Sequence, residues 1–132
     1  MRYLQIFLLI ALLVSLSGCG GYSERKKEMA LESTLSQYRT AMRWGHWETL
    51  TGMRGPKAPA MPDIDLDNVR VTGYEIRQPP LTVDETRVLQ VVEIEYVLQD
   101  SQRLRKLSDR QEWHHEPESK QWMVVSPFPE FR

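Results

Sequence analysis

The chain has 132 residues, of which 41% are hydrophobic and 27% are charged, and its formal net charge is −1 at pH 7. These values are typical of a globular protein and argue against intrinsic disorder, which needs low hydrophobicity and high net charge. The near-neutral charge also argues against nucleic acid as a partner, because neutralising phosphates needs a clearly basic surface.

The first predicted element is an apolar leader at the N-terminus. Arg2 gives it a positive start, and residues 3–16 are almost wholly apolar. A membrane-spanning helix needs about 20 such residues, so this shorter run matches the apolar part of a signal peptide. Two alternatives are a secretory signal with a chance cysteine near its cleavage site and an uncleaved anchor.

The leader ends at Leu16-Ser17-Gly18-Cys19, which contains the only cysteine of the chain and so excludes an intrachain disulfide. The segment resembles the bacterial lipobox, in which a branched apolar residue and two small residues precede an acceptor cysteine. The resemblance implies cleavage between Gly18 and Cys19 and lipid on Cys19. The lipidated protein is then held at a membrane, firmly if more than one acyl chain is attached, since a single chain binds weakly.

Gly20 bears on which membrane holds the protein. In Gram-negative lipoproteins, an aspartate at this place resembles an inner-membrane retention signal, so Gly20 favours the periplasmic side of the outer membrane in a two-membrane cell. The expected organisation is a signal peptide over 1–18, a lipidated tether over 19–27 and one domain over 28–132. The basic residues at 25–27 either touch anionic head groups or form the exposed first turn of a helix.

A helix is predicted from about residue 24 to residue 43, where no proline or glycine occurs. Its apolar stripe has spacings of four, three and four residues, as an amphipathic helix requires. The stripe consists of Leu31, Leu35, Tyr38 and Met42. Gly45 breaks the pattern, a shorter second helix follows over 46–50, and the proline-rich residues 57–67 are predicted to form a loop.

Four strands are predicted in the second half of the chain, over 69–78, 87–98, 103–115 and 121–125. Polar turns separate most of them, and Pro79-Pro80 is expected to end the first. The second strand has apolar residues on both faces, which is typical of a central strand. Helices followed by antiparallel strands indicate an α+β fold, with a curved sheet wrapped over the long helix.

This order of elements resembles the cystatin-like, nuclear-transport-factor-2-like cone fold, as found in small bacterial lipoproteins. The resemblance lies in residues 38–47, in the strand 69–76, and in 109–113 together with 121–122. It implies a half-open cone whose apolar mouth can hold a small molecule.

Six residues are candidates for lining such a pocket: Tyr38, Trp44, Trp47, Tyr96, Asp109 and Trp113. A carboxylate inside the cone can transfer protons when burial raises its pKa, as in the isomerases and dehydratases that share the fold. Against this, indoles at helical spacing are usually part of the core. Asp109 can equally form an ion pair with a nearby arginine, and no catalytic motif matches residue by residue.

Two further groups of residues, one with histidines and one with basic side chains, are interpreted as structural and not as binding sites. Glu112, His114 and His115 invite a metal site, but adjacent histidines on a strand point to opposite faces, so no metal and no cofactor are predicted. The basic residues between 103 and 110 could face a polyanion, but such charges more often protect an edge strand from pairing with a neighbour.

The sequence therefore favours a lipid-anchored, non-enzymatic domain that binds an envelope protein or a small apolar ligand. Dimerisation through the open sheet face stays an open alternative. A second hypothesis, from a different class, is a small cone-fold enzyme on the same anchor that acts on an apolar molecule.

Overall fold

A computed structural model describes Met1 and residues 19–132, and the leader and cleavage predictions at residues 2–18 lie outside it. Helix α1 spans Cys19–Trp44 and helix α2 spans Trp47–Gly52. A single 3₁₀ turn, Leu66–Asn68, precedes the sheet. The strands are β1 (Val69–Asp84), β2 (Arg87–Leu98), β3 (Arg103–Glu116) and β4 (Gln121–Val124). No helix among the described residues is both long and apolar enough to cross a membrane.

The strands form one curved antiparallel sheet in the order β1-β2-β3-β4, which confirms the predicted α+β class. Each strand pairs with the next along the chain, so the topology is a simple meander. The register of β1 against β2 shifts at four places. Such bulges bend a strand and increase its twist, which lets the sheet wrap around α1.

Two elements extend further than the sequence predicts. Helix α1 begins at Cys19, so the expected tether over 19–27 forms its first turns. Strand β1 continues through Pro79 and Pro80 to Asp84. Proline cannot donate to a ladder, but β1 is one of the two edge strands of the described sheet, where that loss is tolerated.

The core lies between the concave face of the sheet and the helices. On α1 the predicted stripe faces the sheet, with Met42 fully buried. Alternate residues of β2 and β3 face inward because side chains alternate along a strand. The largest fully buried side chains are Trp113, Tyr38, Met42, Leu50, Ile94 and Gln111.

The C-terminal tail, residues 126–132, packs against the rest of the domain and contributes side chains to this core. Phe128 and Phe131 are both buried, and each packs edge-on against the indole of Trp47. The sequence predicts only a short tail after β4. The tail covers Tyr96 of β2 and Trp47 of α2, and it can do so because the sheet and α2 leave a space between them.

Candidate functional site

A group of polar and aromatic side chains occupies the concave face of the sheet beneath α1. Strand register brings it together, because Gln90 lies opposite Gln111, and Val92 lies opposite Asp109. We call this group the interior cluster: Tyr38, Tyr74, Gln90, Asp109, Gln111 and Trp113. Its members come from α1 and from three strands, so only the folded chain assembles it.

Asp109 is the titratable centre of the interior cluster and is only 6% exposed. Burial raises its pKa to about 6, because a charged carboxylate loses its hydration in the core. Two weaker effects oppose this: the Gln111 side-chain amide donates a hydrogen bond to Asp109 Oδ2 at 2.8 Å, and the positive charge of Arg54 stabilises the carboxylate. Asp109 can therefore gain or lose a proton close to neutral pH.

The Gln111 amide connects Asp109 to two aromatic side chains. Its Nε2 also donates to the Tyr74 hydroxyl oxygen at 3.0 Å. Its Oε1 accepts a hydrogen bond from the Trp113 indole Nε1 at 3.3 Å. With donor and acceptor both engaged, Gln111 holds Asp109, Tyr74 and Trp113 in one arrangement, as expected of a buried polar network.

Tyr38 closes the interior cluster from the side of α1. Its ring meets Trp113 edge-on, with 5.1 Å between ring centroids. Burial raises the pKa of Tyr38 well above its ordinary value, and the nearby Asp109 carboxylate adds to the effect. The pKa of Tyr74 is raised for the same leading reason. Both phenols therefore stay neutral over the physiological pH range.

Gln90 is the member of the cluster whose hydrogen bonding is incomplete. It is 2% exposed, and its Oε1 has no hydrogen-bond partner among the described residues. An unsatisfied buried acceptor costs on the order of 1–3 kcal/mol. The interior cluster thus contains a carboxyl that titrates near neutrality and an amide oxygen with open acceptor capacity.

The C-terminal tail fills the space beside Tyr96. The ring of Phe131 lies 4.9 Å from the Tyr96 ring, edge-on, and 6.0 Å from the Trp47 indole. The Tyr96 hydroxyl donates to the backbone oxygen of Arg132 at 2.9 Å. The Arg105 guanidinium donates to the same oxygen at 2.5 Å. The chain itself therefore occupies the space at this end of the sheet.

The six predicted pocket residues fall into three places. Tyr38, Asp109 and Trp113 lie together in the interior cluster. Trp47 and Tyr96 contact the C-terminal tail instead. Trp44 is 70% exposed, and its ring faces the Arg43 guanidinium at 5.6 Å.

Gly45 explains why Trp44 and Trp47 separate. Its φ of +68° is in the left-handed region, which glycine adopts without a steric penalty. This turn ends α1 and starts α2 in a new direction, so the two indoles do not share a surface. His46, between them, is exposed and lines a shallow groove with Ser36 and Thr40.

Sequence reasoning missed several members of these sites. Gln111 shares a predicted strand face with Asp109 and Trp113, which is a usable signal, but its link to Tyr74 joins residues 37 positions apart. Nothing in the local pattern assigns Gln90 or Phe131 a role. The alternative that pairs Asp109 with an arginine is not what the geometry shows, because its hydrogen-bond donor is Gln111.

The histidines of β3 make local contacts. His114 Nε2 lies 2.7 Å from Glu112 Oε1, and the His115 ring packs on Trp122 with 5.1 Å between centroids. Within the part of the chain that the structure describes, no three His, Cys, Asp or Glu side chains are grouped to hold a metal ion.

No protein-family model matches this chain, and no curated protein shows significant similarity to it.

Proposed function

We propose that this protein is a lipid-anchored lipoprotein on the periplasmic side of the outer membrane, whose domain works as a non-enzymatic interaction module. The observation that carries the proposal is the segment Leu16-Ser17-Gly18-Cys19 after an apolar leader. Its support from the fold is that α1 begins at Cys19, so lipid on this residue attaches directly to the first helix of the domain.

The proposed fold family is the cystatin-like, nuclear-transport-factor-2-like cone. Its support is the order of a long helix, a short helix and four antiparallel strands that curve over the long helix. In this chain the tail fills the space beside Tyr96 with Phe131. This filling favours an envelope protein as the partner over a small apolar ligand in the mouth of the cone.

Lipidation is tested by growing cells with radioactive palmitate. We expect the wild-type protein to incorporate label and to sediment with membranes, and Cys19→Ser to lose both properties. Persisting label on Cys19→Ser would refute the assignment of the lipid site. Gly20→Asp tests which membrane holds the protein. The substitution should move the protein from the outer to the inner membrane fraction.

The partner is tested by purification from membranes in mild detergent after cross-linking. The proposal expects an envelope protein that co-purifies with wild type and is lost with Cys19→Ser, which separates it from the membrane. If neither the wild-type protein nor Cys19→Ser co-purifies with another protein, that result would count against an interaction module.

Asp109 favours a second candidate function, a small cone-fold enzyme on the same anchor. A buried carboxyl with a pKa of about 6 suits a general base, provided that substrate reaches it. In an isomerase reaction, the carboxylate would take a proton from the carbon next to a carbonyl and return it two carbons further along. The test is turnover of an apolar β,γ-unsaturated ketone by wild type and by Asp109→Asn. Equal rates, or none, would exclude this use of Asp109.

A further inference from the structure

The turn end of the β1–β2 hairpin lies exposed at the edge of the sheet. Residues 75–87 are all exposed, and we call this segment the distal hairpin. Within it, residues 78–83 (Gln-Pro-Pro-Leu-Thr-Val) carry no charge. Leu81 is 55% exposed and Val83 is 45% exposed. Leu81 pairs with Leu89, which is 38% exposed, so the apolar surface continues onto β2.

Two hydrogen bonds fasten the turn of the distal hairpin, one to the first turns of α1 and one to β3, and a third joins β4 to the same part of α1. The Lys27 ammonium donates a hydrogen bond to the backbone oxygen of Glu85. The backbone N–H of His115 donates to the Thr86 oxygen at 2.8 Å. The Trp122 indole Nε1 in turn donates to the Lys27 oxygen at 3.2 Å. The hairpin is therefore held in place at this end of the molecule.

This end is also the end at which α1 begins. Lys27 follows Cys19 by eight helical residues, which corresponds to about 12 Å along the helix axis at 1.5 Å per residue. The chain outside the described domain, residues 2–18, joins α1 at that point. A lipid on Cys19 would thus lie within about 12 Å, along that axis, of the level at which the distal hairpin is attached.

We propose that the distal hairpin rests on the bilayer surface that holds Cys19, with Leu81 and Val83 against lipid. The inference deepens the proposed function and depends on lipidation of Cys19. Burying apolar side chains at the interface is favourable, and nearby basic residues attract anionic head groups. Arg25 and Lys26 are exposed in the same turns of α1 and supply such charges.

A second strand is a poorer occupant of this edge than a lipid surface. Pro79 and Pro80 have no backbone N–H to offer a neighbouring strand. The β1 register shifts just before this proline pair, between Ile76 and Gln78, and across the pair itself, between Gln78 and Leu81. Interrupted edges of this kind hinder pairing with another chain. A bilayer surface needs no ladder of hydrogen bonds, only exposed apolar side chains.

The experiment places an environment-sensitive fluorophore on the full-length lipidated protein. Leu81→Cys is labelled after purification from membranes, because acylation leaves the Cys19 thiol unavailable to the dye. The protein is reconstituted into phosphatidylethanolamine–phosphatidylglycerol vesicles containing nitroxide lipid. Leu104→Cys is the matched control, since Leu104 is also an exposed strand leucine, at 60%, but lies near the other end of the sheet.

We expect a blue-shifted emission for the Leu81→Cys label and several-fold stronger quenching by nitroxide lipid than for the Leu104→Cys label. Equal quenching at the two positions would overturn the proposal. Shielding of the Leu81→Cys label from aqueous iodide without nitroxide quenching would overturn it too, because a protein would then cover the hairpin.

The intact mass of the same preparation distinguishes a failure of lipidation from a failure of the hairpin placement. A mass without acyl chains, together with dye on Cys19, would mean that the proposed function fails. A lipidated mass with a water-exposed Leu81→Cys label would mean that only the placement of the distal hairpin fails.

Discussion

Both ends of the β1–β2 ladder carry apolar side chains, but these side chains differ in how far they are exposed to solvent. At the end where β1 starts, Tyr96 is 3% exposed because Phe131 of the tail lies over it. At the distal hairpin, Leu81 is 55% exposed. Apolar side chains occur at both ends, but Tyr96 lies on the covered face of β2, whereas Leu81 pairs with Leu89 on the open face. Burial here therefore follows whether another part of the chain covers that face. The distal hairpin keeps its apolar surface available to something outside the chain.

The largest effect is expected at the covered end, from Phe131→Ala. The variant removes a buried ring that contacts both Tyr96 and Trp47. Phenylalanine-to-alanine changes in a core lower the free energy of unfolding by about 3–5 kcal/mol. Urea unfolding should show this loss, whereas Glu130→Ala, at an exposed neighbouring position, should lie within about 0.5 kcal/mol of wild type. Equal effects of the two variants would mean that the tail does not seal this end.

Asp109 should make the stability of the interior depend on pH. Its pKa is about 6 in the folded protein, against an ordinary value of 3.8, so the folded state binds the proton more tightly than the unfolded chain does. The stabilisation is complete below about pH 4 and is lost as pH rises to about 6, a change of about 3 kcal/mol.

Asp109→Asn removes that titration while keeping an oxygen that can accept from Gln111 Nε2. Relative to wild type, the variant should therefore gain stability at about pH 7.5 and gain much less at about pH 4. Urea unfolding at the two pH values measures the difference. A gain or loss of the same size at both would show that the Asp109 carboxyl does not titrate as described.

A smaller effect is expected where β4 meets the part of α1 that also holds the distal hairpin. Trp122→Phe removes the indole N–H that donates to the Lys27 oxygen at 3.2 Å. A hydrogen bond of this kind contributes about 1 kcal/mol, so the free energy of unfolding should fall by about that amount. Trp44→Phe is the control, because Trp44 is largely exposed and its replacement should change stability little. A neutral Trp122→Phe would mean that the indole hydrogen bond does not help to fasten β4 to α1.

The smallest effect on stability is expected from Leu81→Ser and Leu104→Ser. The two variants should nevertheless differ clearly in how the distal hairpin contacts the vesicle surface. Both leucines are exposed, so each variant should unfold within about 0.5 kcal/mol of wild type. On vesicles, only Leu81→Ser should speed trypsin cleavage after Arg77 or Arg87, because it weakens contact of the hairpin with lipid. Matching cleavage rates for the two variants would remove the functional difference between the two ends of the ladder.

The sequence alone determined the type and order of the elements. The stripe on α1 and the alternation along β2 reflect local periodicity, which depends only on residues close along the chain. The predicted second strand, 87–98, has the bounds that the structure gives to β2. The inward side of Asp109 also followed from alternation with Trp113, and both residues are buried.

Tertiary structure decided what each element touches. Strand β1 continues past Pro79 because it lies at a sheet edge, which is a property of the whole sheet. The pKa of Asp109 depends on burial, on Gln111 and on Arg54, which is distant along the chain. Phe131 is buried because the sheet and α2 leave a space that fits it. Local periodicity sets the face on which a side chain lies, but burial and charge depend on segments brought together only by folding.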